Sequence, residues 1–247
     1  AEWAAGSGGG FTARQLTETD RNGRLGCAVS GLANWATGTG NSLTRPVMQA
    51  VAGVHRDAAL PRYQSPQLVK RSAPPAIDRD APAFGRKAVL YATCFANFNA
   101  PAIGTAAREV LARNGVETEV VYPGCCGMPQ LEQGDIGRVA DNARRIAAEL
   151  APWIEQGYDI VSLVPSCTLM LKFEWPLIDP DDAAVRRLSA ATIDVSEFVA
   201  DIARNEGMAP GLAPLDGDVT VHIACHARAQ NMGRKAAEVL ALLPETE

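Results

Sequence analysis

The chain has 247 residues, 47% of them hydrophobic and 21% charged, and its 28 acidic and 23 basic side chains leave a formal net charge of −5. That composition suits a globular chain with enough apolar material for one large or two small domains. A pI near 5.3 and no Lys/Arg cluster leave no electrostatic footprint for nucleic acid, and apolar runs such as 88–93 and 160–165 fall far short of the roughly 20 residues that span a bilayer.

The opening Ala1-Glu2-Trp3 has neither an initiator Met nor the basic-then-apolar pattern of a signal peptide. The expectation is therefore a piece of a longer cytoplasmic protein. Residues 1–83 read as an extended connector arm: Gly6 to Gly10 favours flexibility, Ser30 to Ser42 is rich in Gly, Thr and Asn, and prolines recur over 61–82. One helix is predicted in the arm, starting near Ser42 or Thr44, with Pro46 in its first turn and Val47, Met48, Val51 and Val54 as apolar positions.

From Gly85 onward short apolar runs alternate with longer amphipathic stretches, the pattern of βαβ units and a mostly parallel sheet. Strands are predicted at 87–92, 117–121, 159–164 and 218–224. Helices are predicted at 102–113, closed by Asn114-Gly115, and at 136–156, interrupted or restarted at Pro152. Further helices are expected just after Cys167, at 181–189, at 195–205 with Gly207 as its stop, and at 230–243 ended by Pro244. The expected fold class is α/β, a Rossmann-like, mostly parallel sheet flanked by helices and preceded by an irregular N-terminal arm.

Six cysteines are too few for a disulfide scaffold of this length, so their positions carry the information. Cys27 stands alone in a Gly-rich stretch and reads as a small buried hydrophobe. Cys94, the Cys125–Cys126 pair, Cys167 and Cys225 all sit where strands end. In an open parallel sheet the carboxyl ends of the strands form the ligand crevice, so these thiols can converge although 30 residues separate Cys94 from Cys125 and 40 separate Cys126 from Cys167. Two adjacent thiols pair poorly with each other, because the resulting small ring strains the peptide, yet both can reach one polynuclear centre. Gly124 and Gly127 flank the pair and let the backbone wrap close to a bulky inorganic core.

Thiolates select iron–sulfur clusters, zinc or copper(I). The paired C-x₂₋₄-C knuckles of a structural zinc site are absent, so Cys94, Cys125, Cys126 and Cys167 point to a [4Fe–4S] cluster. Burial as small hydrophobes is the alternative for the same four residues. No G-x-G-x-x-G follows a strand, and neither a P-loop nor a G-x-S-x-G elbow is present, so nucleotide binding and serine hydrolase chemistry are unsupported.

Cys94, the Gly-Cys-Cys-Gly-Met-Pro motif at 124–129, Val-Pro-Ser-Cys at 164–167 and Ala-Cys-His-Ala-Arg-Ala-Gln-Asn-Met-Gly at 224–233 together carry a resemblance. They resemble the cysteine-rich CCG-domain family of iron–sulfur oxidoreductases, which includes a subunit of anaerobic glycerol-3-phosphate dehydrogenase and heterodisulfide reductase-related proteins. The likeness runs from about residue 83 to 247, and the stretches 32–35 and 53–56 look like the connector that joins a two-cluster ferredoxin domain to the cysteine-rich region in one branch of the family.

The resemblance implies a duplicated unit: 84–210 as a first CCG domain and 211–247 as the start of a second, incomplete one. A faint echo between 89–94 and 219–225, both runs delivering a Cys, agrees with this. It also implies that Cys94, Cys125, Cys126 and Cys167 hold the first cluster and that Cys225 opens the second motif. The implied role is an electron-transfer subunit that takes electrons from a dehydrogenase or flavoprotein partner and a ferredoxin-type domain and passes them toward quinone or another acceptor. It would be cytoplasmic or peripheral at the inner face of the membrane. Three departures stand out: Val164 occupies the first position of the family's closing C-x-x-C, no ferredoxin-type cysteine runs occur, and no second adjacent Cys pair follows Cys225.

Two rivals remain at this level. One is disulfide chemistry at the cluster in the manner of heterodisulfide reductase, which needs the fifth thiol that Val164 replaces; the other is a colourless, zinc-stabilised structural module. Among the histidines, His222 reads as a sheet residue and His55 as a surface or packing residue, whereas His226, next to Cys225, has a claim on the site. Arg228 would either screen a cluster's negative charge or be a solvated helix-start residue.

Overall fold

The computed structural model describes residues 11–71 and 75–246. Its centre is a four-stranded, all-parallel sheet in the order β2-β1-β3-β4, formed by β1 (Lys87–Tyr91), β2 (Glu117–Val121), β3 (Asp159–Ser162) and β4 (Thr192–Asp194). Leu90 lies opposite Val120 on one side and Val161 on the other, which fixes the register of the three longer strands. The two inner strands, β1 and β3, bury all but their first residue because both faces of the sheet are covered there. Ala88 and Leu90 belong to one core with Leu111, Phe198 and Ile202, whereas Val89 and Tyr91 belong to the other with Ile146, Leu150, Trp175 and Leu188. This is the strand alternation of period two, read as two buried layers instead of one buried and one wet.

The helices that cover the sheet follow local signals. On one side lie α6 (Pro101–Arg113) and α12 (Val195–Asn205); on the other lie α8 (Ile136–Glu155) and α11 (Ala183–Ala191). Helix α8 buries Val139, Ala143, Ile146, Ala147 and Leu150, a stripe at helical spacing, and Asp135 caps its start by accepting from the Arg138 amide. Pro152 sits inside α8 without ending it. Asp182 and Asp194 cap α11 and α12 in the same way. Burying each large apolar side chain of these stripes contributes about 1.5–3 kcal/mol, which holds both layers to the sheet.

The arm differs from its expectation. The helix expected near Thr44 is present as α4 (Thr44–Ala52), but three more precede it: α1 (Phe11–Thr17), α2 (Thr19–Ala28) and α3 (Ser30–Thr37). Glycine disguises α2 in sequence, and packing is what requires it. A Cβ at Gly23 would stand 2.2 Å from the Phe98 ring, and one at Gly26 would stand 2.6 Å from Tyr63. The buried Arg45 secures α4 by donating to the carbonyls of Arg56, His55 and Ala58. The Gly6–Gly10 run lies outside the described residues.

The C-terminal region also departs from expectation. Residues 218–224 form no strand: they have no hydrogen-bonded partner strand among the described residues, and 218–222 are exposed, so the alternating pattern there has no core to face. The helix expected at 230–243 is reduced to α14 (Lys235–Leu240), preceded by an unexpected α13 (Cys225–Ala229), because Asn231 and Gly233 adopt positive φ angles of 54° and 81° between the two. Strand β4, only three residues long, carried too little pattern to be expected.

Candidate functional site

The carboxyl edge of the sheet gathers four of the five expected cysteines. Thr93 ends the turn after β1 and caps α5 (Cys94–Phe98) by accepting from the Ala96 amide, which places Cys94 at the start of that short helix. The loop after β2 carries Cys125 and Cys126 into α7 (Met128–Glu132). After β3 the chain turns at Val164 into α9 (Pro165–Leu169), a π turn (Met170–Glu174) and α10 (Trp175–Ile178), and Cys167 lies on its first turn.

Backbone conformation shapes the middle loop. Gly124 and Gly127 have φ values of 150° and 89°, a region that a side chain strongly disfavours. The loop's carbonyls are claimed by specific donors: Arg145 Nη1 to Pro123 O at 2.7 Å, Tyr91 OH to Gly124 O at 2.6 Å and Trp175 Nε1 to Cys126 O at 2.9 Å. Tyr91 and Trp175 are fully buried, so these bonds form where water cannot replace them.

Cys125, Cys126 and Cys167 are buried and Cys94 is half-buried. The sulfurs of Cys126 and Cys167 are 3.2 Å apart. Hydrogen bonds from Cys126 and Cys94 hold the Cys125 thiol well below the ordinary range. The same contacts raise the donors: Cys94 is pushed up by its bond to Cys125 and then by burial, and Cys126 by its bonds to Cys125 and Cys167 and then by burial. The sulfurs thus line up as Cys94–Cys125–Cys126–Cys167, and the thiolate is most favoured at Cys125.

Among the described residues, no three His, Cys, Asp or Glu side chains converge as a mononuclear metal site would require. The donor set itself is soft, buried and all sulfur, which is the chemistry an iron–sulfur centre takes. A cationic core would relieve the crowding by allowing all four thiolates to form together. Cys94, Cys125, Cys126 and Cys167 are therefore the residues that could hold such a group.

The remaining expected residues fall elsewhere. Cys225 is exposed at the start of α13. Its neighbour His226 reaches back to the site, with Nδ1 2.6 Å from the Ser166 hydroxyl beside Cys167, and the buried Gln230 donates to Pro165 O. Cys27 is buried and donates to Phe98 O at 3.4 Å, in keeping with a packing role, and it lines a cavity of about 440 Å³ with Arg24, Lys70 and Tyr122. His55 is exposed beside Asp57, and His222 and Arg228 are exposed as well.

Sequence reasoning missed Tyr91, Tyr122, Trp175 and Asp20. Asp20 Oδ2 accepts from the Cys125 amide at 3.2 Å, and its Oδ1 accepts from Tyr122 OH. Tyr122 stands immediately before the motif, a proximity that could have singled it out. No local pattern ties residue 20 to residue 125.

A parallel α/β domain that brings a buried chain of thiols to its strand ends is a cysteine-rich redox module. Comparison with known proteins agrees. Residues 88–172 match the family model described as Cysteine-rich domain (CCG). Lactate utilization protein A of Geobacillus kaustophilus is 30% identical over 147 residues, covering 57% of this chain and 57% of that protein. The protein of the same name from Bacillus velezensis is 31% identical over 147 residues, covering 57% and 58%. A fumarate reductase (CoM/CoB) subunit of Methanothermobacter marburgensis is 27% identical over 166 residues, covering 66% of this chain and 30% of that protein. The matched region thus spans somewhat more than half the length of the lactate utilization proteins. No solved structure matches the chain. The chain carries a redox-related iron–sulfur module, and none of its described helices is long and apolar enough to cross a membrane.

Proposed function

We propose that this module transfers electrons through a [4Fe–4S] cluster held by Cys94, Cys125, Cys126 and Cys167. The observation that carries the reading is the chain of four thiols assembled from three strand ends in one buried pocket. When bound, the cluster would supply one-electron redox chemistry, for which thiolate ligation in a partly dry pocket sets the potential. The protein's own part is to hold Cys125 and Cys126 in a fixed loop, through the donors on their carbonyls, and to limit water at the site.

Val164 favours four ligands over five. Its side chain packs against the core where the family pattern would place a thiol, so disulfide chemistry of the heterodisulfide reductase kind lacks a ligand here. In this reading 84–210 is the working domain, 211–247 opens a second unit in which Cys225 waits for further ligands, and the arm leads toward a ferredoxin-type domain. The names of the relatives, a lactate utilization protein and a fumarate reductase subunit, support a dehydrogenase or flavoprotein partner acting on a small organic acid. Operation within a complex, in the cytoplasm or at the inner face of the membrane, fits the same reading.

The test is anaerobic purification or reconstitution, followed by iron, sulfide and zinc analysis and an absorption spectrum. A brown protein with near-equal iron and sulfide is expected, and Cys126→Ser should abolish iron incorporation. A colourless protein that takes only zinc, or iron content unchanged in C126S, would remove the assignment.

A further inference from the structure

The cavity of about 440 Å³ beside Cys27 lies between the arm and the sheet domain, and none of the four site cysteines lines it. Its walls come from α2, residues 65–70 and α5, with Tyr122 beside them. Bonds between these stretches fix the shape. Phe98 O accepts from the Gln64 amide at 2.8 Å and from the Cys27 thiol at 3.4 Å, Asn99 donates to Arg62 O at 3.2 Å, and Asn97 Oδ1 accepts from the Val69 amide at 3.2 Å. A site held in this way exists before its ligand arrives, so little ordering opposes binding.

The lining sorts by chemistry. Arg24 and Lys70 stand at the exposed rim, no carboxylate lines the cavity, and neither cation is ion-paired among the described residues. The Asp20 carboxylate, on the same helix as Arg24, is taken by the Tyr122 hydroxyl and the Cys125 amide. Asn97 is only 1% exposed, yet its Nδ2 donates to no described residue. A buried amide donor without a partner costs free energy that a ligand oxygen would recover. Phe98 and Val69 add an apolar wall. The volume falls within the roughly 300–1,000 Å³ of small-molecule pockets, so a bare inorganic ion would leave most of it unfilled.

We propose that this cavity binds a small organic acid, with the carboxylate between Arg24, Lys70 and the Asn97 amide and the apolar body against Phe98 and Val69. A guanidinium fork matches a carboxylate through two parallel N–H···O bonds, and the lysine adds a point charge. The inference needs no cluster and stands apart from the electron-transfer reading.

Ligand-observed NMR titration of the full, anaerobically purified chain at low salt tests it with phenylacetate, the uncharged phenylacetamide, and acetate. Phenylacetate should bind with a Kd of about 0.1–1 mM. Phenylacetamide, which lacks the charge, and acetate, which lacks the apolar body, should each bind at least about tenfold more weakly. Arg24→Gln and Lys70→Gln should each weaken phenylacetate about three- to tenfold, and the double variant more than either. Arg113→Gln, which removes the same charge from an exposed position outside the lining, should leave its affinity unchanged. No binding of phenylacetate, equal affinity for acetate or phenylacetamide, unchanged affinity in R24Q and K70Q, or an equal loss in R113Q would overturn the inference. Iron and sulfide content is the separate readout of the carrier reading, so the two can fail independently.

Discussion

Trp175→Phe tests whether the cysteine loop depends on the helix that follows the third strand. Trp175 is fully buried, and its Nε1 donates to the Cys126 carbonyl at 2.9 Å. Phenylalanine keeps the aromatic body but removes the donor, and an unpaired buried carbonyl costs about 1–3 kcal/mol. The smaller ring adds about 1 kcal/mol for each methyl-sized void it leaves. A total of roughly 2–4 kcal/mol is a large share of a typical stability, and it corresponds to a fall in Tm of about 5–15 °C for a chain of this length. Urea and thermal unfolding followed by circular dichroism measure it. Trp153→Phe is the control: Trp153 is only partly buried and makes an edge contact with Tyr158, so a loss below about 1 kcal/mol is expected. A loss below about 1 kcal/mol in W175F itself would show that the indole does not hold the Cys126 carbonyl.

Docking of the arm gives two further expectations. Gly23→Ala forces a methyl group into the Phe98 ring and should cost about 1–3 kcal/mol, with faster proteolysis of α2, whereas Gly31→Ala, which meets nothing within 4 Å, should be neutral or stabilising by up to about 1 kcal/mol. Equal stability of the two variants would mean that α2 does not pack where it is described. Glu18 is held below its ordinary carboxyl range, first by its hydrogen bond to Arg138. Its folded value lies below its unfolded one, so its contribution is present above the unfolded value near 4.5 and is lost as pH falls through the folded value. Protection of the arm from protease should therefore fall with acid more steeply in the wild type than in Glu18→Gln, and parallel pH profiles would count against the Arg138 latch.

The parallel sheet and most of its helices could be read from the sequence because both are local signals. Runs such as 87–91 are too apolar for a one-sided strand, α8 carries its stripe at helical spacing, and Asn114-Gly115 and Gly207 mark helix ends by their backbone freedom. The same reasoning placed Cys94, Cys125, Cys126 and Cys167 at one edge, since in a parallel sheet every strand's carboxyl end faces the same way.

Residues 218–224 show where that reasoning stops. Their alternation matches a strand, but a strand also needs a neighbour to pair with, and pairing is not written in the segment itself. Only tertiary structure decided that α2 folds against the motif, that Trp175 and Tyr91 hold its carbonyls, and that Asp20 accepts the Cys125 amide. Sequence patterns report a residue's own helix or strand, whereas these contacts join positions as much as 105 residues apart, and the geometry that selects them exists only once the layers have packed.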